Sequence, residues 1–271
     1  AMPARRLRVD TADAVSRGVA AIRADHAVPD GFPPAVAEEA RAAAARPLGD
    51  GLARADLRDV AFFTIDPPGS RDLDQALALE RDGAGFRVRY AIADVAVFVA
   101  PGGAIDREAH ERGTTVYQPG ERAPLHPPVL SEDAASLLAG AERPALVWDL
   151  RLDGDGELNA AELVPAIVRS RAQLDYEAAQ EGGDEQLRLL REVGERRLAI
   201  AAARGATRLA LPEQEVVCGP DGWTVAYRAP LAVEDHNAEI SLLTGMAAAA
   251  IMVERGAGIL RAQNPPDPEG L

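Results

Sequence analysis

Phe62-Phe63-Thr64-Ile65-Asp66-Pro67-Pro68-Gly69-Ser70-Arg71-Asp72-Leu73-Asp74-Gln75-Ala76 is the stretch on which the reading of this chain turns. An apolar, β-branched run predicts a buried strand that ends at Asp66, and two further acids, Asp72 and Asp74, follow closely. Crowded carboxylates repel one another, and a hard cation such as Mg²⁺ relieves that repulsion. Asp72 and Asp74 are two residues apart, so on extended backbone they point the same way while Leu73 turns to the core. Pro67-Pro68-Gly69 forces a tight turn that returns this pair toward Asp66. The expected result is a cup of three carboxylates at one strand end. Two Mg²⁺ ions held there would serve an in-line displacement at phosphorus. Three aspartates in a turn also fit a plain acidic, capped loop. The buried approach of the strand favours the site.

The 271 residues suit one large domain or two small ones, and 47% hydrophobic residues allow a sizeable core. Aromatics are only 4%, so that core must rest on Leu, Val, Ile and Ala. The net charge of −14 argues against coating nucleic acid through bulk charge, although a local basic channel remains compatible with it. A single cysteine excludes an intrachain disulfide framework and a multi-cysteine zinc site. No run of apolar residues is long enough for a membrane span, and the charged N-terminal residues lack a signal-peptide core, so the cytoplasm is the default compartment.

Residues 11–28 and 35–46 read as two helices, separated by Pro29, Gly31 and Pro33-Pro34, and predict an all-helical N-terminal arm over residues 1–56. From residue 57 to 271 the texture is α+β, with a mixed, largely antiparallel sheet and packed helices. Strands are predicted at Val60–Ile65, Ala76–Glu80, Phe86–Val95, Ala145–Leu152, Leu158–Ser170 and Trp223–Tyr227. Asp153-Gly154-Asp155-Gly156 is a hairpin turn rather than a calcium loop, because the loop's closing glutamate is missing. Helices are predicted at Ile105–Arg112, Glu185–Arg204 and Asn237–Glu254, the last apolar nearly all round and therefore buried. The Pro-rich stretch 264–271 reads as a linker.

The aspartate string resembles the catalytic domain of the ribonuclease II (RNB) family, whose core motif is a strand, Thr-Ile-Asp, a short loop and Asp-x-Asp-Asp. Tyr90-Ala91-Ile92-Ala93-Asp94-Val95, Asp106-Arg107-Glu108-Ala109 and Thr114–Gly120 follow in the family's order. Pro124-Leu125-His126-Pro127 with Leu130-Ser131 resembles its Pro-Met-Leu-Pro…Leu-Ser segment, continued by Ser136-Leu137-Leu138 and Arg143-Pro144-Ala145. The resemblance implies a Mg²⁺-dependent 3′→5′ exoribonuclease, with Mn²⁺ as a possible substitute, that hydrolyses single-stranded RNA to 5′-mononucleotides. It implies that Asp66, Asp72 and Asp74 are metal ligands and active-site acids. Tyr117 would stack on a base in the RNA channel, and Tyr176 would pack on the 3′-terminal nucleotide. Glu239 lies within one residue of the family's clamp glutamate. No membrane partner is expected, and no protein partner is indicated.

Two departures stand out. The fourth acidic position is Gln75, which can coordinate through its carbonyl oxygen but brings no charge. The chain also matches only the first half of the family's domain, without the later arginine segment that meets the scissile phosphate. An exoribonuclease and a catalytically weakened RNB-like module that holds RNA or a protein are therefore both open. A metallohydrolase of another class lacks the histidine pairs it would need. His126, between prolines, reads as a loop or packing residue rather than a ligand, and His236 as a cap-region residue. Arg89, Arg112, Arg122, Arg169 and Arg171 could line a phosphate path, or lie scattered on the surface.

Overall fold

The computed structural model describes residues 7–8, 12–48, 51–206, 212–219 and 222–261. Short β1 (Leu7–Arg8) is followed by α1 (Ala12–Asp25), α2 (Pro34–Ala44), β2 (Ala55–Leu57), β3 (Phe63–Ile65), β4 (Gln75–Asp82) and β5 (Gly85–Ala93). Then come α3 (Ala104–Arg112), the hairpin β6 (Val116–Gln118) and β7 (Glu121–Ala123), and one π-helical turn at Leu130–Ala134. The second half holds β8 (Glu142–Leu152), β9 (Leu158–Arg169), β10 (Ala172–Leu174), α4 (Tyr176–Glu181), α5 (Glu185–Ala203), β11 (Glu213–Gly219), β12 (Gly222–Arg228) and α6 (Ala232–Arg255). The linker expected at 264–271 lies outside the described residues.

Seven strands make the central sheet, in the order β10-β3-β4-β5-β8-β9-β2. Neighbours from β3 to β9 are antiparallel, and the two edge pairs, β10 with β3 and β2 with β9, are parallel. Alternation sorts the side chains by size. Leu77, Leu79, Phe86, Val88, Tyr90, Trp148 and Leu150 point to one face, where α5 and α6 cover them with Leu190, Val193, Ile240 and Leu243. Ala76, Ala78, Ala91, Ala145 and Ala166 occupy the other face, beneath Phe62, Leu73 and Leu137. The abundant alanine thus lets irregular backbone at 71–73 and 136–138 lie close against the sheet. The 153–156 turn closes the β8–β9 hairpin as expected, with Asp153 Oδ1 accepting from the amides of Asp155 and Glu157, both at 2.9 Å.

Several expectations are corrected. The predicted strand at Val60–Ile65 is regular only from Phe63, and it pairs with β4 at a single position, Phe63 with Leu77. Where the ladder parts, the Gln186 carboxamide of α5 fills in. Its Oε1 accepts from the Leu79 amide at 2.8 Å, and its Nε2 donates to the Ala61 carbonyl at 2.7 Å. The N-terminal segment is not purely helical. Leu7 pairs with Val225 of β12, and β2 joins the main sheet. Its helix α2 builds a third core with α3, through Val36, Ala40, Phe98 and Ile105. Helix α6 starts at Ala232, where Glu234 Oε1 accepts from the Leu231 amide at 2.7 Å. It is buried on one side only, leaving Leu242 53% and Val253 64% exposed. The earlier start puts His236 inside the helix, buried against α5, rather than at its cap. Among the described residues no helix is long and apolar enough to cross a membrane.

Candidate active site

The acidic loop is built as a plug with two flanking acids. Leu73 is fully buried. Its amide accepts no slack: it donates to Ser136 Oγ at 3.0 Å, its carbonyl accepts from Leu137 N at 2.8 Å, and Ser136 Oγ donates to the Arg71 carbonyl at 2.5 Å. With Leu73 pinned inward, Asp72 and Asp74 line a cleft of about 330 Å³ on either side of it. Asp66 leaves the end of β3 with its amide donating to the Leu174 carbonyl at 3.1 Å. The turn that follows closes through Ser70 N to Pro67 O at 3.1 Å and needs Gly69 at φ +81°, where a side chain would be strained.

The charges at this strand end feel one another. Burial, followed by the negative charges of Asp74 and Asp72, pushes Asp66 up to about 6. Burial also raises Asp74, and the charge of Asp72 adds to the shift. Tyr90 is raised to about 12, first by burial and then by Asp74 and Asp66, against a hydrogen bond with Ser241 of α6 that lowers it. Asp72 has its own counter-ion: Arg122 of β7 donates to its Oδ1 at 2.9 Å and to Glu132 Oε1 at 2.7 Å. Among the described residues no three His, Cys, Asp or Glu side chains are arranged to hold a metal ion. The charge of Asp74 thus adds to the burial that raises Asp66, while Arg122 engages Asp72. Carboxylate oxygens crowded in this way suit a hard divalent cation in their chemistry.

Gln75 turns to the helical face, where its Oε1 accepts from the Tyr90 hydroxyl. Tyr117 is 70% exposed on β6 and lines the same cleft as Asp72 and Asp74. Tyr176 opens α4, which Asp175 caps by accepting from Ala178 N at 2.7 Å. Tyr176 lines a second cavity of about 470 Å³ with Pro67, Pro68 and Arg228, whose guanidinium lies 5.9 Å from its ring centroid. Glu239 is only 2% exposed on the buried side of α6 and is not brought to the acidic cleft's lining. The arginines considered for a phosphate path are engaged instead: Arg89 with Glu80 at 3.1 Å, Arg112 with Glu108 at 2.7 Å, and Arg169 with Asp59 at 4.0 Å. Arg171 donates to the Asp59 carbonyl. Sequence reasoning missed two contributors. Tyr90 had a signal, since a buried tyrosine on an alternating strand must find a partner for its hydroxyl. The pairing of Arg122 with a carboxylate 50 positions away had none.

The family model of the RNB domain matches residues 54–271. This chain belongs to the RNB domain family. The RNB chain is 30% identical over 236 residues to Exoribonuclease 2 of Aeromonas hydrophila, which covers 81% of this chain and 35% of that protein. It is 43% identical over 131 residues to a protein of Arabidopsis thaliana named Inactive exonuclease DIS3L2, covering 47% of this chain and 12% of the relative. The chain thus spans about a third of the Aeromonas relative. Its fold is shared with Mycoplasma genitalium RNase R, solved in complex with ribose-methylated single-stranded RNA. That match has a TM-score of 0.81 at 23% identity and covers 88% of this chain and 40% of the other.

Proposed function

We propose that this RNB chain contributes the acidic half of a 3′→5′ exoribonuclease site, acting with Mg²⁺ or Mn²⁺ on single-stranded RNA in the cytoplasm and releasing 5′-mononucleotides. The observation that carries the reading is the pair Asp66 and Asp74: a half-buried acid at the end of a core strand and a more exposed one after the turn, both raised above the usual carboxylate range, with neighbouring carboxylates adding to each shift. Asp66 and Asp74 would hold the cation, with Asp72 as a third donor in competition with Arg122. When bound, the cation supplies Lewis-acid stabilisation of charge at the scissile phosphate and lowers the pKa of the attacking water. Leu73 and Ser136 keep the acids in place. The exposed ring of Tyr117 offers a stacking platform, which tolerates any base and so suits degradation. Tyr176, beside Pro67 and Pro68, offers a second flat surface on the Asp66 side.

The test is incubation of the protein with 5′-labelled oligo(U) and Mg²⁺. Stepwise loss of nucleotides from the 3′ end, abolished by Asp74→Asn, is the expected outcome. Release that is unchanged in Asp74→Asn removes this acid from the mechanism. A second reading, an RNB-like module that binds RNA without cutting it, is favoured by one observation. The neutral Gln75 stands where the family motif carries an acid, and its carbonyl oxygen is already bonded to Tyr90. RNA binding without metal-dependent release would select that reading.

A further inference from the structure

The ribbon that carries Tyr117 also carries an arginine beside it. Tyr117 and Arg122 face each other across the β6–β7 ladder, so their side chains stand on the same face of the ribbon. Ala123, on the opposite face, is buried. Tyr117 lines the cleft with Asp72 and Asp74. Arg122 meets that cleft at its acidic wall, donating through Nη1 to Asp72 Oδ1 at 2.9 Å and through Nη2 to Glu132 Oε1 at 2.7 Å. The side chains of Arg122 and Asp72 are each 29% exposed, and that of Glu132 is 26% exposed. Water reaches this cluster, and a partly exposed ion pair is weak enough to exchange partners. Among the described residues the cleft lining includes no arginine or lysine. His126 lines it too, but its Nδ1 is enclosed without a hydrogen-bond partner, and burial holds the ring below the ordinary histidine range, so it brings no charge near pH 7.

A nucleotide whose base stacks on Tyr117 brings a phosphate within reach of the residue across the ladder, since facing side chains start only about 5 Å apart. In the cleft that phosphate would meet Asp72 and Asp74 with no positive charge in the lining. A guanidinium has donors only, and it grips a phosphate with two of them at once. Both Nη groups of Arg122 are given to carboxylates, so a two-pronged grip needs one of them back. Asp72 is the partner that stands in the cleft, and it can be released once another cation takes it. The exchange leaves every charge matched: Glu132 keeps Nη2, the phosphate takes Nη1, and Asp72 joins the divalent ion. Resting on the exoribonuclease reading above, we propose that Arg122 is an RNA-phosphate ligand held in reserve on Asp72, and that its transfer to the phosphate beside Tyr117 releases Asp72 to the cation. RNA and cation then tighten each other's binding by the same factor.

The test uses Mn²⁺ as the cation and 2′-O-methyl oligo(U) as the RNA, its length checked on a gel after each measurement. Mn²⁺ binding is read by electron paramagnetic resonance without RNA, and RNA binding by fluorescence anisotropy in Mn²⁺ and in EDTA. Arg122→Gln should bind Mn²⁺ about 5-fold tighter than the wild type, because Asp72 is no longer withheld. The same variant should lose about 10-fold in RNA affinity in Mn²⁺ and little in EDTA. Asp72→Asn frees the guanidinium from the other side, and covers the case in which Arg122→Gln alone does not fold. It should bind RNA more tightly than the wild type in EDTA, a gain that adding Arg122→Gln cancels. A folded Arg122→Gln with unchanged or weaker Mn²⁺ binding overturns the proposal. So does an equal loss of RNA affinity in Mn²⁺ and in EDTA, which would mark Arg122 as scaffolding for the ribbon, and so does an Asp72→Asn gain that survives removal of the arginine. A wild type that binds neither Mn²⁺ nor RNA defeats the exoribonuclease reading itself, a result distinct from all of these.

Discussion

Replacing Asp66 by asparagine should stabilise the metal-free protein while disabling its chemistry. The Asp66 carboxyl is raised from 3.8 to about 6. Between those values the folded state holds a proton that the unfolded chain has released. Stability therefore falls as pH rises through this window, and the whole penalty is present above the folded value. Two pH units correspond to about 3 kcal/mol. Asp66 is only partly buried, so solvent screening reduces this to roughly 1–2 kcal/mol. Asp66→Asn keeps the shape and removes the charge. In urea unfolding with EDTA, the variant should be more stable by that amount at pH 7.5, and by only about a third of it at pH 4.5, where the unfolded carboxyl has already largely ionised. Adding Mg²⁺ should then raise the wild type and leave the variant nearly unmoved, because only a cation bound to the folded state stabilises it. A variant that is less stable than the wild type at pH 7.5, or a difference independent of pH, would refute the claim that burial and the neighbouring carboxylates make the ionised Asp66 costly to the fold.

Tyr90→Phe removes the hydroxyl that Gln75 and Ser241 share, and should lower unfolding stability by about 1–2 kcal/mol in urea titration. Gln186→Leu leaves the Leu79 amide and the Ala61 carbonyl without their partner; a loss of roughly 2–4 kcal/mol is expected, together with faster hydrogen exchange at Leu79. Gly194→Ala would place a methyl 2.5 Å from His236 Cβ, where α5 meets α6, so thermal unfolding should show a loss of about 1–3 kcal/mol.

Much of the sheet is legible in the chain because its code is local. Phe86, Val88 and Tyr90 alternate with shorter or charged neighbours, and Asp153 to Gly156 dictates a hairpin whatever surrounds it. The acidic loop is legible for the same reason: Leu73 between two aspartates can only be a plug. What escapes the sequence is decided at a distance. The one-sided burial of α6 depends on which of its apolar faces meets α5 and the sheet. Gln186 repairs a gap between strands more than 100 positions earlier. The stranded nitrogen of His126 depends on a cleft assembled from several separate segments.

The charges explain why a chain of net −14 can still be read as acting on an anion. Arg122 is committed to Asp72 and Glu132, Arg89 to Glu80, and Arg143 to Asp133 at 3.4 Å, so these side chains do not offer a free cationic surface near the acids. A bare phosphate approaching Asp66 and Asp74 would meet repulsion. A divalent ion held as proposed would reverse the local sign there. Arg122 sharpens this division. It engages Asp72, whose charge helps to raise both Asp66 and Asp74, and so would leave those two acids as the principal ligands of the proposed cation, with Asp72 held back.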